Sequence, residues 1–161
     1  WAPIFDRLLA LPKGWVLRDY HSPNLIWLPE RQGAAKVGII DFQDALMGPA
    51  TYDLASLLKD AYIELDDVVV DGLVAHFLDR LAGLGAPVDD RAAFRRLFDF
   101  TSIQRNLKAA GRFVYIDQVK HNPKFLADIP RVLGYVKRNL AKYPELAPLR
   151  QHLAPYVAEL Q

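Results

Sequence analysis

Residues 17–28 read LRDYHSPNLIWL, an otherwise apolar segment that carries Asp19, His21 and Asn24 close together. The run LIWL at its end has the apolar, β-prone composition of a buried strand. Polar groups next to a core cost stability unless they have partners or a task. We therefore expect these side chains to mark the edge of a functional site, at the point where a loop leads into a strand.

A hairpin is predicted from two β-rich runs at 25–29 and 36–41, with a glycine-containing turn between them. Asn24 precedes the first strand and Asp41 ends the second, so an antiparallel pair brings their backbones to about 5 Å at its open end. Asp19 lies in a short loop that can fold over the same point. Carboxylate and carboxamide oxygens suit Mg²⁺ together with phosphate oxygens. The pattern predicts a metal-phosphate site at this end of the hairpin.

The rest of the chain is predicted to be mostly helical, which gives a helix-rich α+β domain. Trp15 and Trp27 are assigned to the core because of their size and apolarity. Pro130 is expected to kink or break a helical stretch that Pro123 opens. The other expected elements are a helix end over 1–12, a short strand at 15–18, helices over 49–63, 68–85 and 89–116, and a last helix from Leu146.

Composition limits the class of protein. The chain has 161 residues, of which 52% are hydrophobic and 24% charged, as expected for a single folded domain. No apolar run approaches the roughly 20 residues of a membrane span, and no signal peptide is apparent. The absence of cysteine excludes disulfides, thiolate catalysis and cysteine-bound zinc, and His76, His121 and His152 are too widely separated for a zinc site. We expect a cytoplasmic protein with no membrane partner.

Charge is divided unevenly along the chain. Residues 1–90 carry 7 Lys or Arg and 14 Asp or Glu, a net −7, whereas residues 91–161 carry 13 and 5, a net +8. The plain interpretation is two solvated faces. The alternative is an acidic metal site that faces a basic region able to accept an anionic partner. Nucleic acid is not expected, because the basic residues are dispersed rather than clustered with aromatic ones.

Three motifs carry a family resemblance: RDYHSPN (18–24), IIDFQD (39–44) and GPATYDLASLL (48–58). Together they resemble the carboxy-terminal, helical lobe of the aminoglycoside phosphotransferase and choline kinase superfamily, whose fold is protein-kinase-like. The resemblance implies transfer of the γ-phosphoryl group of ATP, with Mg²⁺, to the hydroxyl of a small molecule. The segment SIQRNLKAAGRF (102–113) and the phrase DFQDA are similar to bacterial kinases that phosphorylate the anomeric C1 hydroxyl of N-acetylmuramate and N-acetylglucosamine during cell-wall recycling.

The resemblance also implies roles for individual residues. Asp19 corresponds to the base that receives the proton of the substrate hydroxyl, and Asn24 and Asp41 correspond to the ligands that hold Mg²⁺ against the nucleotide phosphates. Asp53 corresponds to a carboxylate that braces the catalytic loop, and His21 to a residue that orients this loop. The alternatives are turn formers at positions 24 and 41, a helix-dipole carboxylate at position 53 and a structural histidine at position 21.

Three adjacent polar residues, Gln104, Arg105 and Asn106, interrupt an apolar helix. One or two of them are expected in the substrate pocket, and Arg105 is the candidate to pair with a sugar carboxylate. One departure from the superfamily pattern is Leu17, where many relatives carry histidine. By this resemblance the departure removes a scaffold hydrogen bond but leaves the chemistry possible.

Several parts of a complete kinase of this type are absent from the chain. The glycine-rich phosphate loop and the strand lysine with its helix glutamate belong to an amino-terminal lobe. We expect the single lobe, residues 1–161 with loops and hairpin over 15–44 and a helical subdomain over 49–161, to bind nucleotide poorly and catalyse little alone. The alternatives are a kinase for an aminoglycoside, choline or homoserine, and a catalytically silent interaction module. The basic second half argues against aminoglycosides, and intact Asp19, Asn24 and Asp41 argue against the silent module.

Overall fold

The computed structural model describes residues 13–86, 88 and 90–161, so the helix end predicted over 1–12 lies outside the described residues. Within the described part the protein is a mostly helical α+β fold with small antiparallel sheets, as predicted. The strands are β1 (Lys13–Val16), β2 (Leu25–Trp27), β3 (Val37–Ile39) and β4 (Leu46–Pro49). The helices are α1 (Thr51–Leu58), α2 (Asp67–Gly83), α3 (Arg91–Lys120), α4 (Ile129–Lys142) and α5 (Ala147–Leu153), with short 3-10 helices at Ser22–Asn24, Gly33–Lys36, Pro123–Asp128, Pro144–Leu146 and Ala158–Leu160.

The predicted hairpin is confirmed. Strands β2 and β3 pair antiparallel, with Leu25 opposite Ile39 and Trp27 opposite Val37. The connection between them contains the 3-10 turn that begins at Gly33, whose φ of +55° is a left-handed conformation that glycine adopts without steric cost. The pairing fixes which residues meet at the open end of the hairpin.

A second pair, β1 with β4, was not fully predicted. The expected helix start at residues 48–49 is wrong, because these residues form the end of β4 and helix α1 begins at Thr51. Gly48 lies opposite Gly14, and a Cβ at Gly48 would lie 3.0 Å from Val16 Cγ2, so a glycine permits the close approach of the two strands. Pro49 has no N–H to donate, and it is tolerated here because the end of a short strand does not require this donor.

One helix end differs from expectation, and a division of the helical stretch lies next to Pro130. Helix α1 ends at Leu58 rather than near residue 63, because the chain turns at Lys59 and the carboxylate of Asp60 accepts a hydrogen bond from the Tyr62 N–H at 2.9 Å. The stretch that Pro123 opens is divided next to Pro130, because the 3-10 helix ends at Asp128 and α4 begins at Ile129, with Pro130 in its first turn. This is the position that proline favours, because the first turn needs no intrahelical N–H donor.

The core lies between helices, with the 30-residue α3 at its centre. Helix α3 packs against α1 and α4, and the 3-10 turn at Pro123–Asp128 packs on it as well. A hydrogen bond of 2.8 Å between the buried hydroxyls of Thr51 and Thr101 joins the start of α1 to the middle of α3. The buried apolar residues form three clusters: Ala55, Leu58, Val70, Val74, Leu78 and Phe98; Phe100, Ile103, Val136, Leu140, Leu146 and Leu160; and Ala61, Ala110, Phe113, Val132 and Leu133.

The assignment of Trp15 and Trp27 to the core is wrong, since 76% of Trp15 and 64% of Trp27 are exposed. Side chains alternate along a strand, and Val16 is only 2% exposed, so its neighbour Trp15 points to the opposite, exposed side of β1. We call the exposed large apolar side chains of the strands and their connecting loops the apolar sheet surface; it includes both sides of the strands, because neighbours such as Ile26 and Trp27 point in opposite directions. Its members are Trp15, Ile26, Trp27, Val37, Ile39, Ile40, Phe42, Leu46 and Met47.

Candidate active site

The loop that contains Asp19 is held by the carboxylate of Asp53, in the first turn of α1. Its Oδ2 accepts a hydrogen bond from the Leu17 N–H at 2.6 Å, and its Oδ1 accepts one from the Arg18 N–H at 3.1 Å. Arg18 has a φ of +72°, a conformation that costs free energy in a residue other than glycine. Burial raises the pKa of Asp53, and the two N–H donors oppose this by favouring the carboxylate. These contacts fit the bracing role, which stays a prediction.

A second carboxylate, Asp60, holds the other side of the same loop. Its Oδ2 accepts a hydrogen bond from the Ser22 N–H at 2.7 Å, its Oδ1 accepts the one from Tyr62 already described, and only 1% of the residue is exposed. Sequence analysis missed Asp60. No local pattern indicated it, because helix α1 ends at Leu58 and Asp60 lies in the turn that follows. The two carboxylates enclose the segment that carries Asp19.

The structure brings Asn24 and Asp41 to the open end of the hairpin. The Asn24 carbonyl accepts a hydrogen bond from the Ile40 N–H at 3.1 Å, and the Asn24 Nδ2 donates to the Asp19 carbonyl at 2.9 Å. Asp41 has a φ of +58°, and its Oδ1 accepts a hydrogen bond from Gln43 at 2.6 Å. The asparagine thus ties the loop of Asp19 to the strand pair.

The donor set at this end fits a hard cation whose other ligands are phosphate oxygens and water. Asn24 uses its amide nitrogen in the bond to the loop, which leaves its Oδ1 to serve as a ligand, and Asp41 supplies a carboxylate. Mg²⁺ takes few protein oxygens in sites of this kind. Among the described residues no three His, Cys, Asp or Glu side chains cluster closely enough to form a metal site of their own. Asn24 and Asp41 therefore leave coordination positions open for phosphate oxygens or water.

His21 belongs to the loop that carries Asp19, and its ring packs near Tyr62. Its ring centroid is 5.4 Å from that of Tyr62, and its backbone N–H donates to the Asp19 carbonyl at 3.0 Å. Burial lowers the pKa of His21, Asp60 opposes this shift and Arg105 reinforces it. Burial thus favours the neutral imidazole, as suits a residue that packs in the loop.

A pocket of about 140 Å³ opens beside Asp19. One wall is helix α3, which presents three cations, and the other side is formed by the loop and α1. The lining residues are Asp19, His21, Tyr52, Ala61, Tyr62, Arg105, Lys108, Ala109, Arg112 and Phe113. The pocket thus combines one carboxylate, three cations and an apolar, partly aromatic surface.

Of the three adjacent polar residues of α3, the structure places only Arg105 in the pocket lining. Asn106 is fully buried, and its Nδ2 donates to the Ser102 carbonyl and hydroxyl at 3.0 and 3.1 Å. Gln104 does not line the pocket. Helical periodicity explains the difference, because three consecutive residues point about 100° apart. Sequence analysis missed Lys108 and Arg112, whose spacing of three and seven residues from Arg105 was the available signal.

Arg105 is a buried cation with an incomplete set of partners. It is 8% exposed, and its Nε has no hydrogen-bond partner among the described residues. Burial lowers the pKa of Arg105, while Tyr52 and then the carboxylates of Asp60 and Asp19 act to raise it. The guanidinium therefore lies within the electric field of the loop that carries Asp19.

Comparison with known proteins places these residues in a family context. Residues 1–97 match the model of the phosphotransferase enzyme family. Curated relatives named N-acetylmuramate/N-acetylglucosamine kinase include one from Neisseria meningitidis serogroup B, 40% identical over 97% of this chain and 46% of the relative, and one from Pseudomonas putida, 36% identical over 98% and 44%. A third, from Pseudomonas aeruginosa, is 36% identical over 96% of this chain and 46% of the relative. The chain thus spans slightly less than half the length of these relatives.

None of the described helices combines the length and the hydropathy needed to cross a bilayer.

Proposed function

Because this chain belongs to the phosphotransferase enzyme family, we propose that it forms the helical, carboxy-terminal lobe of a kinase that transfers the γ-phosphoryl group of ATP to a hydroxyl of an amino sugar. The observation that carries the proposal is the position of Asp19. Its loop is fastened to the helices by two carboxylates, its side chain lines the pocket, and the oxygens of Asn24 and Asp41 lie at the end of the adjoining strand pair.

In this proposal Asp19 accepts the proton of the acceptor hydroxyl. The hydroxyl oxygen bonds to the γ-phosphorus as the bond between this phosphorus and the β-γ bridging oxygen breaks. ADP leaves with the electron pair of the broken bond. Asp53 and Asp60 keep the base oriented, so the protein contributes mainly positioning and exclusion of water. Asn24 and Asp41 would hold Mg²⁺, which when bound neutralises charge on the nucleotide phosphates.

The acceptor we favour is the anomeric C1 hydroxyl of N-acetylmuramate or N-acetylglucosamine. The names of the relatives support an amino sugar, and the pocket offers an apolar surface with polar groups around it, as sugar sites do. ATP and Mg²⁺ as cosubstrate and cofactor suit a cytoplasmic enzyme. Arg105 is the candidate contact for an acidic group on the sugar.

The partner we propose for the apolar sheet surface is an amino-terminal nucleotide lobe of the full-length polypeptide. The relatives are about twice as long as this chain, and large exposed apolar patches of this kind mark interaction surfaces. The present chain alone is then expected to turn over little ATP.

The test uses the full-length protein with Mg²⁺, ATP and either sugar, and follows the phosphorus NMR spectrum. We expect a sugar 1-phosphate signal, a loss of about 10²- to 10⁴-fold in its rate of formation in Asp19→Asn, and no comparable loss in Asp117→Asn, an aspartate of α3 outside the pocket lining. A rate in Asp19→Asn equal to that of the unchanged protein would remove Asp19 as the base. Absence of product with both sugars would move the acceptor to choline, homoserine or an aminoglycoside.

A further inference from the structure

The buried guanidinium of Arg105 needs an explanation. A charge removed from water is costly unless counter-charges and hydrogen bonds replace its hydration, and here the Nε lacks such a bond among the described residues. Arg105 lines the pocket beside Asp19, so its side chain borders the space that a ligand would occupy. An anion in the pocket would supply a counter-charge to this buried cation.

Two further cations extend the same wall. Lys108 and Arg112 follow Arg105 by three and seven residues, so they lie on one face of α3, and the wall is roughly 10 Å long at 1.5 Å per residue. Both side chains are exposed, and none of the three cations forms an ion pair with a described residue. The Arg112 guanidinium lies 5.1 Å from the centre of the Tyr115 ring, a cation–π contact that restricts its position.

The negative and positive charges of the pocket lie on different elements. Asp19 is the single carboxylate among the lining residues, and the cations lie on α3. The lining also includes the apolar residues Ala61, Ala109 and Phe113, the last two from α3. A ligand that carries both a hydroxyl and an anionic group would be oriented by this arrangement, because Asp19 repels the anion and the α3 wall attracts it.

We propose that Lys108 and Arg112, with Arg105 at the inner end, bind an anionic substituent of the acceptor sugar and set the preference for acidic over neutral amino sugars. The proposal rests on the proposed function, since it concerns the acceptor in the same pocket. Guanidinium and ammonium groups form charge-assisted hydrogen bonds with a carboxylate or a phosphate, and two cations on adjacent turns hold such a group in one place. The hydroxyl at the other end of the sugar is then directed to Asp19.

The experiment compares kcat/KM of the full-length protein for three acceptors. N-acetylmuramate carries a carboxylate, N-acetylglucosamine is neutral, and N-acetylglucosamine 6-phosphate carries a phosphate. The variants are Lys108→Gln, Arg112→Gln and the double variant, which change exposed side chains and leave the core intact. The control is Lys120→Gln, an exposed cation of the same helix outside the pocket lining.

We expect the double variant to lose about 10- to 100-fold in kcat/KM for a charged acceptor and less than about twofold for the neutral one. Loss confined to N-acetylmuramate identifies a carboxylate as the anion, and loss confined to the 6-phosphate identifies a phosphate. Equal losses for charged and neutral acceptors would overturn the proposal, as would a charged-acceptor loss of the same size in Lys120→Gln.

Failure of the proposed function has a different signature. The unchanged protein would then form product from none of the three acceptors. In that case the binding of N-acetylmuramate and N-acetylglucosamine without ATP, measured by isothermal titration calorimetry, decides the question. Binding of N-acetylmuramate that the double variant loses supports the anion site even without turnover, and binding of neither sugar overturns it.

Discussion

The strand region, residues 13–49, and the helical region, residues 51–160, differ in the exposure of their large apolar side chains. In the helical region Phe98 is fully buried, and three clusters of apolar residues surround α3. In the strand region most large apolar side chains form the apolar sheet surface. The candidate catalytic residues Asp19, Asn24 and Asp41 nevertheless lie in the strand region. Chemistry is therefore proposed on the part of the described chain that has little core of its own.

What fixes the strand region near the site is a set of hydrogen bonds to carboxylates of the helical region. Asp53 and Asp60 accept the N–H groups of Leu17, Arg18 and Ser22. Each such bond involves a charged acceptor, which makes it stronger than a bond between neutral groups. The comparison teaches that position at the site depends on a few polar contacts, whereas stability depends on the helices. The following substitutions test this separation.

The largest expected effect on stability is in the helical core. Phe98→Ala removes a fully buried ring from the cluster between α1, α2 and α3 and should cost about 3–5 kcal/mol in the free energy of unfolding. Urea denaturation followed by circular dichroism measures it. Tyr156→Ala, at an exposed ring, is the matched control and should change the free energy by less than about 0.5 kcal/mol. Equal effects at the two positions would contradict the assignment of the core.

A smaller loss is expected at the contact between the regions. Asp60→Asn replaces one of the two carboxylate oxygens, which accept from the Ser22 and Tyr62 N–H groups, by an NH₂ donor. It should lower the free energy of unfolding by about 1–3 kcal/mol. It should also lower kcat of the full-length protein and speed hydrogen exchange of the Ser22 amide. Asp79→Asn, in an exposed ion pair with Arg91, is the control and should change none of these measurably. Unchanged exchange at Ser22 would show that Asp60 does not hold the loop.

Acidification should lower the stability of the chain through His21, which lies in the loop whose hydrogen bonds join the two regions. Burial holds the pKa of His21 below its ordinary value of 6.5, so the unfolded chain binds a proton more readily than the folded one. The contribution of His21 to stability is complete above pH 6.5 and is lost as the pH falls toward its folded pKa. Thermal unfolding between pH 7.5 and 5 should therefore show a smaller decrease in Tm for His21→Gln than for the unchanged chain. A parallel decrease in both would contradict this.

The smallest expected effect is on the apolar sheet surface. Trp27→Ser in this chain should change the free energy of unfolding by no more than about 0.5 kcal/mol, because the ring is mostly exposed. The same substitution in the full-length protein should cost more, since we propose that an amino-terminal lobe covers this surface. A loss of equal size in both would mean that the full-length protein also leaves this ring exposed.

The hairpin and the residues at its end were predictable from local pattern. Two apolar, β-rich runs with a glycine-containing turn between them predict the pairing of β2 with β3, and this pairing brings Asn24 next to the end of β3. Asp19 and Asp53 each lie within a short continuous motif, residues 18–24 and 48–58, so a family resemblance identifies them directly. The mostly helical architecture likewise follows from apolar periodicity.

The features that sequence analysis missed depend on contacts between distant segments. Strand β4 forms because Gly48 permits close approach to Val16, 32 positions earlier, which local propensity does not reveal. Asp60 receives its partner from the loop 38 residues away. Trp15 is apolar and large like a core residue, but Val16 takes the buried side of β1, so Trp15 points to the exposed side. Hydrophobicity indicates which residues prefer burial and does not say whether the described chain provides a cover for them.

Helix α3 also has an evolutionary consequence. Its inward face holds Phe98, Ile103 and Phe113, whose volumes the core constrains, while Lys108 and Arg112 project from its exposed face into the pocket wall. A single codon change at position 108 or 112 therefore alters the charge offered to a ligand at almost no cost in folding free energy. Selection can retune what this lobe accepts one step at a time, without passing through an unstable intermediate.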